Sequence, residues 1–123
     1  MAEGLIHKVG GIIKRADELL LVCNSGGSTW DIPNVISEKS ENDVECLRRR
    51  LRIIFPQAEF EHYSPYRTFS SGQDKIYAYT AEFFGDLNSE KVAHMWASKK
   101  DIHKFRLSDS ASKIVDFLVD NYL

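Results

Sequence analysis

The sequence has little that would tie it to a membrane, an oxidising compartment or a polyanion. No apolar run approaches the roughly 20 residues a bilayer-spanning helix needs, and the start, Met1-Ala-Glu-Gly, lacks the basic and then apolar pattern of a secretory signal. There are only two cysteines, Cys23 and Cys46. Both lie inside apolar patterns and form no metal-type pair, which favours buried thiols in a reducing compartment and, with the missing signal, predicts a cytoplasmic protein. Sixteen Lys and Arg stand against eighteen Asp and Glu, a formal charge of -2. No global positive field therefore argues for general nucleic-acid or anionic-membrane binding, and any such contact would have to be local.

What is present suits one small core. A chain of 123 residues with 43% hydrophobic content falls at the common size of a single globular domain, so residues 1–123 are expected to form one unit. Leu5 to Ile13 is rich in branched residues and meets the polar cluster Lys14-Arg15-Ala16-Asp17. With Glu18 to Cys23 it reads as a hairpin. Asn24-Ser25-Gly26-Gly27-Ser28 is a loop by composition, and Trp30-Asp31-Ile32-Pro33 follows as a short extended piece.

Between Ser40 and Phe55 the apolar residues Val44, Leu47, Leu51 and Ile54 recur at helical spacing. Ser40 is the expected cap, with Asp43 reaching back to it, and Pro56 cannot continue the helix. Next come an extended segment over Ala58 to Phe69, a Ser70-Ser71-Gly72 turn, a strand over Ile76 to Phe84 with Tyr77 and Tyr79 on one face, and a Gly85 to Ser89 loop. A short strand over His94 to Ala97 precedes a final helix over Ser108 to Tyr122 that offers Ile114, Val115, Leu118 and Tyr122 to the core. Strands, a central helix, more strands and a terminal helix predict an α+β domain or α-β-α sandwich with a mixed sheet between helices.

This order of hairpin, glycine loop, Trp-x-x-Pro, acidic loop, helix, strands and a late Trp96 before a last helix resembles the Nudix (MutT-like) hydrolases over nearly the whole chain. The resemblance implies the Nudix fold. The family's sequence box aligns without a gap when anchored on Trp30-Asp31-Ile32-Pro33. Its Gly-Gly falls on Asn34 and Val35, its first Glu on Glu41 and its Arg on Arg49. The acid after that Arg is replaced by Arg50, the Glu-Glu pair by Ile53-Ile54, and the closing Gly-aliphatic pair by Pro56-Gln57.

In the family the helix glutamates hold divalent cations against a diphosphate, because a hard, hydrated magnesium ion needs carboxylate oxygens. An arginine and two isoleucines cannot supply them, and the arginine repels the cation. The retained Glu41 and Arg49 are, by the same resemblance, the pair that braces loop against helix. The degenerate box thus predicts a domain inactive by the family's magnesium mechanism, which binds a nucleotide or other phosphate-bearing ligand, or a protein partner or second copy, through the inherited cleft. The alternative is a divergent pyrophosphohydrolase, cleaving nucleoside diphosphate-linked substrates with magnesium held at a displaced site by Glu38, Glu41 and Glu90; Glu41 and Glu38 would then be its catalytic acids.

Each candidate has a plainer reading beside it. Arg50 and Arg49 are the candidate phosphate binders within Arg48-Arg49-Arg50-Leu51-Arg52, a run that wraps around a helix and otherwise reads as a solvated surface. Ile53 lies off the Val44-Leu47-Leu51 stripe, so it lines either a dry cleft, an interface or a covering strand. Trp30, Tyr63, Tyr66, Phe69, Tyr77 and Tyr79 are the candidate base-stacking aromatics, and each reads otherwise as core, where strand aromatics usually lie. His7, His62, His94 and His103 show no ligand spacing, and Glu38 and Glu90 read otherwise as solvated charges.

Overall fold

In the computed structural model, the described residues are 5–24, 27–37 and 42–123. Six strands, β1 (Ile6–Arg15), β2 (Glu18–Asn24), β3 (Asn34–Ile36), β4 (Ala58–Ser71), β5 (Asp74–Gly85) and β6 (Val92–Ser98), form one sheet, and the helices are α1 (Asp43–Ile54) and α2 (Asp109–Asn121). The path runs β4-β5-β1-β2-β6, with β3 also paired to β1. β1 is parallel to β5, from Ile6 opposite Asp74 to Ile13 opposite Ala81, while the other strand pairs are antiparallel. The sheet is therefore mixed, as expected.

β1 and β2 alternate between two cores. Val9, Ile13, Leu20 and Val22 join Leu47, Leu51 and Ile54 of α1 on one face. Ile12, Leu19 and Leu21 join Ile114, Val115 and Leu118 of α2 on the other. Each helix supplies one apolar stripe and the sheet supplies two apolar faces, which gives the α-β-α sandwich.

The expected hairpin forms, but it pairs only at Lys14 with Leu19 and Arg15 with Glu18. The turn is Ala16-Asp17 alone; Lys14 and Arg15, expected in the turn, belong to β1. Beyond it the two strands diverge, and the segment 30–36 enters between them. Asp31 and Val22 exchange backbone hydrogen bonds of 2.8 and 2.9 Å, Gly11 N–H donates to the Pro33 carbonyl at 2.8 Å, and β3 pairs with Lys8, Val9 and Gly10. This wedge carries the Trp-x-x-Pro segment into the centre of the sheet. β3 itself is absent from the sequence reading because three residues give no usable periodicity.

Two further boundaries differ from expectation. The α1 cap is Asn42, whose Oδ1 accepts the Glu45 N–H at 2.9 Å, in place of Ser40, which lies outside the described residues; Asp43 is the first helical residue. Asn42 thus supplies an acceptor for one of the otherwise unpaired amides of the first turn. The β4-β5 turn is Gly72-Gln73, and Ser70 and Ser71, expected in the turn, instead pair with Lys75 and Asp74. Gly72 takes φ 59°, the left-handed backbone that a glycine adopts without strain.

β4 is an edge strand, which tolerates Pro65 and two irregularities, between Glu61 and Ser64 and between Pro65 and Arg67. α2 begins as the sequence indicates: Ser108 caps it, with Oγ accepting the Ala111 N–H at 3.1 Å. Among the described residues no helix is long and apolar enough to cross a membrane.

Candidate functional site

α1 carries the positions at which the resemblance places metal-binding acids, and the fold treats them differently. Ile54 is 1% exposed and sits in the core with Leu51 and Phe55. Ile53, one residue earlier and about 100° around the helix, is 44% exposed. Arg50 is half-buried at a third bearing. No oxygen donor occupies any of the three, and among the described residues no group of three or more His, Cys, Asp or Glu side chains is placed to hold a metal ion. A magnesium ion does not fit the donor set that α1 presents at these positions.

Several grooves border the helix. One, about 670 Å³, lies between the C-terminal end of α1 and the β5-β6 loop, lined by Ile53, Pro56, Gln57, Asn88, Ser89, Glu90 and Lys91. The structure therefore brings Ile53 and Glu90 to one groove. A second, about 330 Å³, joins Ile53 to Glu45, Arg48, Arg49 and Arg52. A third, about 400 Å³, is bounded by Lys8, Asn34, Val35, Ile36 and Arg50. Glu38 and Glu41, and with them the expected Glu41-Arg49 brace and displaced acid site, lie outside the described residues.

The arginine run divides by role. Arg48 donates to Glu45 at 2.8 Å, approaches Glu61 at 3.8 Å, and lies over the Tyr63 ring at 5.1 Å, tying α1 to β4. Burial raises the Tyr63 phenol above its ordinary value, and the Arg48 charge opposes that rise. Arg50 makes no ion pair or hydrogen bond among the described residues, although it is half-buried. The sequence gives no way to tell the two apart, because partners such as Glu61 come from another element.

The aromatic candidates are mostly committed to packing. Trp30 meets Phe105 edge-on at 5.8 Å and packs on the core beneath α2, the opposite layer from Arg50 and Ile53. Tyr66 and Phe69 both pack edge-on against Phe117 of α2. Tyr77 stacks on His7 with ring centres 4.1 Å apart and 13° between planes.

Three histidines that showed no pattern in sequence meet carboxylates in the fold. His7 Nε2 is 3.3 Å from Asp43 Oδ1, His62 pairs with Glu82, and His103 lies 3.9 Å from Asp116. Tyr79 also reaches Asp43, its hydroxyl donating to Oδ2 at 3.4 Å, and its phenol is raised by burial and then by that carboxylate. Asp43 thus joins β1, β5 and the start of α1. Lys8 and Asn34, at the mouth of the Arg50 groove, were not singled out in the sequence; Asn34 in place of the first box glycine was the available signal.

Asp31 has the most distinctive electrostatics. Its Oδ1 accepts the Ile32 N–H at 2.8 Å and its Oδ2 accepts the Ser108 hydroxyl at 3.1 Å. Burial nevertheless holds its carboxyl above the ordinary value of 3.8, outweighing those bonds and the Lys8 charge. Asp31 links the wedge segment to the cap of α2.

No protein-family model matches the chain, and no curated protein sequence matches it significantly. Solved structures do. The MutT structure from work on Aliivibrio salmonicida and Vibrio cholerae superposes with a TM-score of 0.80 at 18% identity, covering 95% of this chain and 98% of that one. A MutT Nudix hydrolase from Burkholderia pseudomallei gives 0.77 at 14% identity, covering 90% and 95%. An ADP-ribose pyrophosphatase from Streptococcus suis gives 0.72 at 15% identity, covering 94% and 90%. Coverage of nearly the whole of both chains, together with the mixed sheet between α1 and α2, establishes that this chain has the fold of the MutT and Nudix hydrolases.

Proposed function

We propose that this protein is a cytoplasmic Nudix-fold binding domain, one 123-residue unit that has lost magnesium-dependent hydrolysis and takes a nucleotide or other phosphate-bearing ligand in the grooves around α1. The observation that carries this reading is the state of the three box positions. Arg50 faces a groove with a positive charge, Ile53 faces another with a hydrocarbon, and Ile54 is core. Metal-assisted phosphoryl chemistry needs oxygen ligands to neutralise charge and activate water. An arginine fork supplies charge neutralisation without a metal but no lone pair, so it supports recognition and not hydrolysis. Arg50 and Arg49 are assigned to the ligand's phosphates, and Ile53 to its organic part. Trp30, also a candidate from sequence, sits on the other layer, so its part is to hold the wedge segment.

A divergent hydrolase has one observation in its favour, Glu90 in the same groove as Ile53. It would need Glu38 and Glu41 beside it to hold magnesium. A protein-binding module, with Ile53 covered by a partner or a second copy, remains a third use of the groove.

Calorimetric titration of magnesium and manganese, with and without ADP-ribose and nucleoside triphosphates, followed by phosphate release from the same samples, separates these. The proposal expects nucleotide heat and no turnover. Turnover with bound metal, abolished by Glu41→Gln or Glu90→Gln, would replace it with the hydrolase. Absence of both heat and turnover, with concentration-dependent sedimentation, would favour the protein-binding module.

A further inference from the structure

The Arg50 groove says more about the form in which a ligand is taken. Its described wall holds two cations, one amide and two aliphatic side chains, with no carboxylate among the described residues. Lys8 is partly satisfied, donating to Asp74 Oδ2 at 3.0 Å, and Asn34 Nδ2 donates to the Ile32 carbonyl at 2.8 Å. Each keeps further N–H groups. Arg50, by contrast, is half-buried, and none of its five donors has a partner among the described residues. Val35 is half-buried and Ile36 is 59% exposed, so they supply an apolar wall beside the charge. A planar cationic fork, an ammonium and an amide beside an aliphatic wall suit a phosphate group carried on an organic body.

We infer that this groove selects the metal-free form of a phosphate-bearing small molecule, so that divalent cations weaken binding instead of promoting it. The inference rests on the binding-domain reading above and sharpens it. A diphosphate without metal presents its full negative charge and all its oxygens to Arg50 and Lys8. Complexed with magnesium it presents less charge and fewer oxygens, and the metal is repelled by the same guanidinium, with no acid among the groove's described lining residues to receive it. Reciprocity of linkage then requires that binding to the protein lower the ligand's affinity for magnesium by the same factor.

The test is isothermal titration of the full chain with inorganic pyrophosphate and with ADP, once in chelator and once in saturating magnesium. The same titrations are run on Arg50→Gln and on Arg106→Gln. Arg106 is exposed ahead of α2 and lines none of the grooves beside α1, so it controls for general loss of positive charge. Binding in chelator, weakened about tenfold or more by magnesium, weakened at least about tenfold in Arg50→Gln and kept in Arg106→Gln is the expected result.

Binding that appears only with magnesium overturns the inference and leaves the binding-domain reading standing. Equal losses in the two variants overturn the assignment to Arg50. No binding of either probe under either condition removes the inference and the phosphate-binding reading together. Circular dichroism melts of both variants establish that any loss is not unfolding.

Discussion

Ile53 and Ile54 are adjacent in sequence, yet a glutamate at each would have opposite consequences. At position 53 the carboxylate would reach the open groove, and stability should change by no more than about 0.5 kcal/mol. At position 54 it would replace a side chain that is 1% exposed among Leu51, Phe55 and the sheet, burying an unpaired charge. Ile54→Glu should cost about 3–5 kcal/mol or abolish folding. Urea denaturation of the two variants checks this, and comparable stabilities would mean that Ile54 is not core. An acid at position 54 is thus closed to a single substitution.

Asp31 gives a pH signature. Because burial raises its carboxyl in the folded state, that state holds more protons than the unfolded chain between 3.8 and the raised value. Stability from this group therefore falls as pH rises through that window and is regained on acidification. Asp31→Asn should remove this component, so its denaturation midpoints should gain less, or lose more, than the parent's as pH falls from neutral to 3.8. Parallel profiles for the two proteins would count against it.

The caps of the two helices make a paired comparison. Asn42 does one thing, accepting the Glu45 N–H at an exposed helix start. Asn42→Ala should cost about 1 kcal/mol. Ser108 accepts the Ala111 N–H and also donates to the half-buried carboxyl of Asp31. Ser108→Ala should therefore cost about 2 kcal/mol, because an acceptor in a desolvated site loses its partner as well. Thermal melts of both single variants test the order, and equal losses would mean the Ser108-Asp31 bond contributes nothing. The same elements show where sequence reading stops. The α1 stripe and the Ser108 start follow from local pattern, whereas the role of Arg48 depends on Glu61 and Tyr63 of β4, and β3 is a strand only because β1 pairs with it.

The sandwich has two cores that share one sheet, and β2 belongs to both, with Leu19, Leu20 and Leu21 all fully buried. A cavity under either helix should therefore weaken the whole. Leu51→Ala beneath α1 and Leu118→Ala beneath α2 should each cost about 2–5 kcal/mol, with a single transition by near-ultraviolet and far-ultraviolet dichroism. Two separated transitions in either variant would mean that the layers unfold independently.

By itself, the sequence determined the class of the domain, the two helices, the hairpin, the lack of acids at positions 50, 53 and 54 and the absence of a positive field, because each depends on residue identity or on local spacing. Only the tertiary structure decided that the hairpin splays around the Trp30-Asp31-Ile32-Pro33 segment, that Asp43 gathers His7 and Tyr79, and that Lys8, Asn34 and Arg50 share a groove. Those outcomes join residues far apart in sequence. Their geometry is set by how two helices cover a twisted mixed sheet, which no window along the chain contains.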